Sequence, residues 1–170
     1  MRAIDRTKPP EPGASRPFHF PPFSRERLGN GLELILAPRT GMPLVEILLQ
    51  LPAGAERNPL ERPGLAALTA SLVDEGTERR SGPEIAIALE RLGGSIATRA
   101  DWNSADVQVS LLARELDAGL ELVDEVARRP VFPEAELERL RQQALTELLR
   151  RRDQPAVLAE EAMADLLYRG

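Results

Sequence analysis

The stretch from Gly64 to Thr77, GLAALTASLVDEGT, constrains the 170-residue chain more than any other. No charged residue occurs from Leu65 to Val73. A segment apolar on every side belongs inside a protein. Pro63 ahead of it suits a first helical turn and Gly76 behind it suits a helix end, so the pattern predicts a buried helix. Leu65, Leu68 and Leu72 recur at helical spacing as a core stripe. Ala67, Ala70 and Ser71, at i, i+3 and i+4, place three small residues together on another face.

The rest of the chain supplies the frame for that helix. Residues 1–24 hold Pro9, Pro10, Pro12, Pro17, Pro21 and Pro22 and read as an extended arm or a disordered tail, with Phe18, Phe20 and Phe23 alternating near its end. Residues 25–170 form the domain. After the Gly29-Asn30-Gly31 turn, the alternation in Leu32–Leu36 marks a strand, and a second carries Val45, Ile47, Leu49 and Leu51 on one face with Glu46 and Gln50 on the other. A short Gly/Pro link between them predicts an antiparallel pair.

Ser81 reads as an N-cap with Pro83 and Glu84 in the first turn of a helix whose stripe is Ile85, Ala88, Leu89 and Leu92. Gly93-Gly94 stops it. Ser95–Arg99 and Ala105–Leu112 form the next antiparallel pair, with Trp102 at their turn. Three helices follow: 114–128 with Leu116, Leu120, Val123 and Val126, then 134–152 with Leu137, Leu140, Ala144 and Leu148, then 155–168. The order ββ-αα-ββ-ααα predicts an α+β fold, a mostly antiparallel sheet covered by helices.

Composition narrows the chemistry. The net charge of −5 argues against a nucleic-acid partner, and the Arg128-Arg129 and Arg150–Arg152 clusters sit at helix ends, where cations offset the macrodipole. Without cysteine there is neither a disulfide framework nor a thiolate metal site. The one histidine, His19, lies in the proline-rich arm. No apolar run suits a membrane span and the N-terminus lacks a signal peptide's apolar region, so a cytoplasmic protein without a membrane partner is expected.

Several phrases then converge: LGNGLELIL, LPAGAERNP, GLAALTASLVDEGT, and LERLGGSIATRADWNSADVQVSLLARELDAGLELVDEVARRPVFPEAELER with the long helix after it. Together with the element order they resemble the pitrilysin/insulinase zinc metallopeptidases, most closely the processing-peptidase branch. The resemblance runs from about Leu28 to the end.

In active members of that family, the helix carries H-x-x-E-H, two zinc-binding histidines and the glutamate that activates water. The resemblance sets the first histidine on Ala67, the glutamate on Ala70 and the second histidine on Ser71. It sets the third ligand, a glutamate 76 residues further on, at Glu147, and an accompanying glutamate at Leu140. One carboxylate of the constellation is left, and read from the residues alone Glu147 is equally an ordinary charged helix residue. No catalytic residue, metal ligand or cofactor is therefore expected in this chain.

Some relatives work as pairs, one chain carrying the zinc motif and the other lacking it, closing together around an extended peptide. The resemblance implies that this chain is the non-catalytic subunit, with zinc in an HxxEH-bearing partner. A structural role like that of the respiratory-complex core subunits is the alternative. A zinc peptidase active in its own right is the third reading, and the missing ligands argue against it. Family domains run longer than this segment, so a chain ending before its last strands is expected. A sheet left with an open edge in that way invites self-association.

Overall fold

The computed structural model describes residues 13, 15, 17–39 and 41–168. Its backbone divides into two compact units, Met1–Met42 and Pro43–Gly170.

The first unit contains a hairpin of β1 (Ser24–Arg27) and β2 (Glu33–Leu36), antiparallel with Ser24 opposite Leu36 and Arg27 opposite Glu33. Its turn closes through the Leu28 amide donating to Leu32 O at 2.8 Å, while Gly31 takes φ 88° and the Asn30 side chain accepts from the Leu32 amide. Phe18, Phe20 and Phe23 stack edge to face in sequence, with centroids 6.4 and 6.0 Å apart. Of the arm expected over 1–24, residues 1–12, 14 and 16 lie outside the described residues, and Ser24 already belongs to β1.

The second unit opens with β3 (Leu44–Leu51) and a 3-10 turn at Ala55–Arg57. Then come α1 (Leu65–Ala70), α2 (Gly82–Arg91), β4 (Ser95–Ala100) and β5 (Ala105–Leu112). A 3-10 turn at Ala113–Glu115 leads into α3 (Leu116–Arg128), α4 (Glu134–Arg151) and α5 (Pro155–Tyr168). The sheet runs β3-β5-β4, antiparallel throughout. The α+β class and the element order thus hold, with β1 added in front. Among the described residues no helix is long and apolar enough to cross a membrane.

One expected pairing fails. The strand over Leu32–Leu36 does not pair with the one over Val45–Leu51: β2 pairs with β1, and β3 pairs with β5. Asn30-Gly31 makes the tighter turn, so β2 folds back on the segment before it. In β3 the row Val45, Ile47, Leu49 then finds its match in Leu111, Val109 and Val107. Burying two such rows together outweighs proximity in the chain.

The core lies between that sheet face and α2 and α3, built from Ile85, Leu89, Val107, Val109, Leu111, Leu122, Val123 and Val126. Ser81 and Glu84 form the expected capping box on α2, and backbone and hydroxyl hydrogen bonds from Ser81 hold the Glu84 carboxyl below its ordinary range. On α3 the stripe is displaced. Leu116 and Leu120 are exposed, and the buried face is Gly119, Leu122, Val123, Glu125 and Val126. Gly119 sets this face, because a Cβ there would stand 2.2 Å from Leu111 Cδ2, so helix and sheet meet at closest approach.

The stripe expected on α4 is not a core stripe within this chain. Leu137 and Leu148 are exposed, Leu140 is half-buried, and neither α4 nor α5 has a buried residue.

Candidate functional site

The segment that should carry the site is anchored at both ends. At its start Gly64 adopts φ 91°, which a side-chain-bearing residue resists, and leaves α1 without a cap from its own N-cap residue. The cap comes from a distance: Asn58 Oδ1 accepts the Ala66 amide at 2.9 Å. The loop bearing Asn58 is itself clamped, since the Ala55 and Glu56 amides donate to the carbonyls of Asp101 and Trp102 at 2.8 and 2.9 Å. Gly54 is required there, because a Cβ would stand 2.3 Å from Trp102 O.

At the far end, Thr77 Oγ1 donates to Glu125 Oε1 at 2.5 Å and accepts the Arg80 amide at 3.0 Å. Arg80 completes the cluster by an ion pair with the other Glu125 oxygen. Glu125, buried on α3, thereby holds the Gly76-Thr77 turn against the core. The Val131 amide donates to Gly76 O at 3.0 Å, so the same turn fixes the approach to α4. No periodic signal marks Glu125 in the sequence; a charged residue at i+3 from Leu122 on an apolar face was the available hint.

Between these anchors the helix is shorter and more open than its composition predicts. The α-helix ends at Ala70, and residues 71–74 continue as turns. Leu72 is buried, Leu68 half-buried, and Leu65 42% exposed, so the expected stripe buries only its last member fully. The helix meets β4, β5, the 55–57 turn and α4, and that cover still leaves Leu65, Ala67 and Thr69 exposed. The three small residues also part company: Ala70 is buried, whereas Ala67 and Ser71 are exposed.

The i, i+4 relation between Ala67 and Ser71 is nevertheless intact. The Ser71 amide and its Oγ both donate to Ala67 O, each at 3.0 Å. Thus the helix turn that would present two ligands from one face is present, with a methyl and an internally bonded hydroxyl on it.

Glu147 lies on the exposed part of α4. Arg150 Nε and Nη2 donate to its two carboxylate oxygens at 3.0 and 2.9 Å. Hydrogen bonding to Arg150 holds its carboxyl below the ordinary range, and the helical i+3 spacing explains the pairing fully. Leu140, expected at the position of the accompanying carboxylate, is half-buried. Nearer α1, Arg139 bridges Glu75 at 2.5 Å and Glu136 at 2.5 Å.

This set does not fit a zinc ion. Two alanines offer no donor atom, the serine hydroxyl is spent on a carbonyl, and the one carboxylate is already chelated by an arginine. Among the described residues, no group of three His, Cys, Asp or Glu side chains could hold a metal.

Two further carboxylates have shifted acidity. Asp74, just past α1, is pushed upward by burial, against hydrogen bonds from its own backbone and from Thr98 Oγ1 at 3.2 Å. Asp106, buried on the sheet's other face, is pushed up by burial too. Hydrogen bonds from Gln50, Ser104 and Arg99 outweigh that and hold it low. Beside it lies an open cleft of about 450 Å³ lined by Gln50, Leu51, Pro52, Asp101, Asn103 and Ser104.

Comparison with known proteins places these features in context. The family profile described as insulinase (peptidase family M16) matches residues 35–170. An uncharacterised zinc protease of Rickettsia felis is 22% identical over 147 residues, which are 86% of this chain and 36% of that protein. The solved structure of a peptidase M16 inactive domain from Pseudomonas fluorescens superposes with a TM-score of 0.79 at 23% identity, covering 84% of this chain and 35% of that one. A protease from Helicobacter pylori gives 0.70 at 22% identity, over 79% of this chain and 32% of that one. The chain therefore spans about a third of the length of these relatives.

Proposed function

This chain belongs to the insulinase family of peptidases, M16, and we propose that within it the chain is a non-catalytic partner. In this reading it lends peptide-binding and chamber surface to a homologous subunit bearing H-x-x-E-H, and zinc and the activated water belong to that subunit. The observation that carries the reading is the intact frame around a motif without donors. Asn58, Gly64, Gly76, Thr77 and Glu125 hold the α1 segment in place, yet Ala67, Ala70 and Ser71 can neither bind a metal nor take a proton. The Pseudomonas fluorescens structure described as an inactive M16 domain supports it as a relative of similar fold.

The geometry also supports a manner of peptide binding. Among the described residues β4 is an edge strand, and it packs against α1, whose Ala67 and the following Ser71 are exposed. An extended peptide added along that edge would be held by main-chain hydrogen bonds, largely independent of its sequence. Small residues on α1 let it approach closely.

The test is affinity recovery from a native extract followed by peptidase assay. The reading predicts recovery of an H-x-x-E-H homologue and activity only when both chains are present. Recovery of an unrelated complex with no protease in it would favour the structural role instead. Peptidase activity of this chain alone would overturn both.

A further inference from the structure

Ile96 of β4 packs on the core, so Ser95, Ala97 and Arg99 share the opposite face of that strand, and all three are exposed. Arg99 is held in place there. Its Nε donates to Asp106 Oδ2 at 3.2 Å, and the buried Asp106 is fixed in turn by Gln50 Nε2 at 3.2 Å. Among the described residues neither Nη of Arg99 has a hydrogen-bond partner, and the side chain is 66% exposed. A guanidinium anchored through Nε leaves its other two nitrogens as a fork that matches a carboxylate.

Two residues on, the setting reverses. Asp101 is exposed and stands on the wall of the open cleft of about 450 Å³, together with Gln50, Asn103 and Ser104. Gln50 directs its Nε2 to Asp106 and to Ser104 Oγ, and Asn103 directs its Nδ2 to Glu56. The amide oxygens of Gln50 and Asn103 are thereby left as acceptors near the Asp101 carboxylate. A wall of acceptors beside a carboxylate suits a donor-rich cation. The face therefore presents a cation at 99, an anion at 101, and small residues at 95 and 97.

The main chain sets the register. The Asp101 amide donates to Ser104 O at 2.8 Å, so 101 and 104 are a bonded pair, and bonded pairs alternate back through 99 with 106 and 97 with 108. The N–H and C=O groups of Ile96, Thr98 and Ala100 consequently point away from β5. An antiparallel peptide would bond to those groups. Its residues opposite 97, 99 and 101 would then form the non-bonded pairs, in which side chains stand closest.

Resting on the reading that an extended peptide adds to β4, we infer that Arg99 and Asp101 select that peptide by the order of its charges, basic-x-acidic from N to C. Antiparallel pairing sets the peptide residue opposite 101 two places before the one opposite 99. The basic side chain then lies against Asp101 at the cleft, and the acidic one reaches the Arg99 fork. The reversed order sets like charges together at both positions. Ser95 and Ala97 carry no charge and impose no such preference on the residues beyond. Each cross-strand pair of opposite charge contributes modestly, and like charges cost a similar amount, so exchanging the two charges should change affinity by about tenfold.

Titration of the full chain with three synthetic peptides tests it, with amide hydrogen exchange followed at Ile96, Thr98 and Ala100. The peptides share a threonine- and valine-rich background and carry Lys-x-Glu, Glu-x-Lys or Gln-x-Gln at the same place. The expected result is protection of those three amides and an affinity for Lys-x-Glu about tenfold above that for Glu-x-Lys, with Gln-x-Gln between them. Arg99→Gln and Asp101→Asn should each reduce that preference to about threefold, and the double variant should abolish it. If Arg99→Gln fails to fold because Asp106 loses its partner, Asp101→Asn carries the test. Protection with equal affinity for all three peptides would overturn the charge selection and leave binding along β4 standing. No protection by any of them would overturn both, and a preference that survives the double variant would overturn the assignment to Arg99 and Asp101.

Discussion

The helices α3 and α4 both carry apolar residues at helical spacing, more sharply segregated on α3, and they meet opposite fates. α3 buries Leu122, Val123 and Val126 against the sheet, together with a glutamate bonded on both oxygens. α4, five residues longer, buries nothing, and its carboxylates pair with arginines one turn along the same helix. Periodicity shows that a helix has an apolar face; it does not show that this chain covers it. The same contrast runs through the candidate site. The part contributed by the α1 segment is anchored to the core through Thr77 and Glu125, and the part contributed by Glu147 is a solvated ion pair.

The contrast can be broken most forcefully at its two glutamates. Glu125→Ala leaves the Arg80 guanidinium and the Thr77 hydroxyl without their shared partner. Glu125 is buried but Arg80 is 40% exposed, so the cost should sit at the low end of the about 3–5 kcal/mol of a fully buried pair, which urea denaturation should show as a fall in midpoint. Glu147→Ala should leave the midpoint where it was. Equal effects would mean that α4 is as firmly built in as α3.

The hydrophobic version is next in size. Leu111→Ala, at a fully buried position touching Gly119, should cost about 2–5 kcal/mol, whereas Leu148→Ala should change stability by no more than about 0.5 kcal/mol. A smaller effect belongs to the remote cap. Asn58→Ala frees the Ala66 amide and should cost about 1 kcal/mol, with amide exchange rising first in residues 65–70.

The least of these effects concerns pH. Burial raises Asp74 in the folded state above its ordinary value of 3.8, so the folded chain binds the proton more tightly than the unfolded one. Its contribution is present below that ordinary value and is lost as pH rises through the raised folded value. Asp74→Asn should therefore flatten the decline over that window in a pH series of urea midpoints. A steeper decline would show that the Asp74–Thr98 contact favours the charged carboxylate.

Much of this architecture was legible in the residues. The alternation of Ala105–Leu112, the capping box at Ser81, and the breaks at Gly93-Gly94 and Pro130 each mark an element that forms where expected. β1 was not legible, because SRER carries no apolar alternation and pairs through its backbone and the Asn30-Gly31 turn. The pairing of β3 was misjudged because matching of buried rows is a long-range property that a local turn signal does not contain. At the site, the family resemblance set Ala67, Ser71 and Glu147 into one frame, and the structure keeps the i, i+4 turn between the first two. What spacing could not reveal is the cluster of Thr77, Arg80 and Glu125, whose members lie up to 48 residues apart and meet only after α3 has docked.

The claim on which the account turns is that the frame persists while the metal chemistry is absent from this chain, and zinc titration into the purified, metal-stripped chain by calorimetry tests it most directly. The account predicts no stoichiometric binding, and the same trace for Glu147→Ala. One zinc bound per chain, lost on Glu147→Ala and accompanied by peptidase activity, would contradict it.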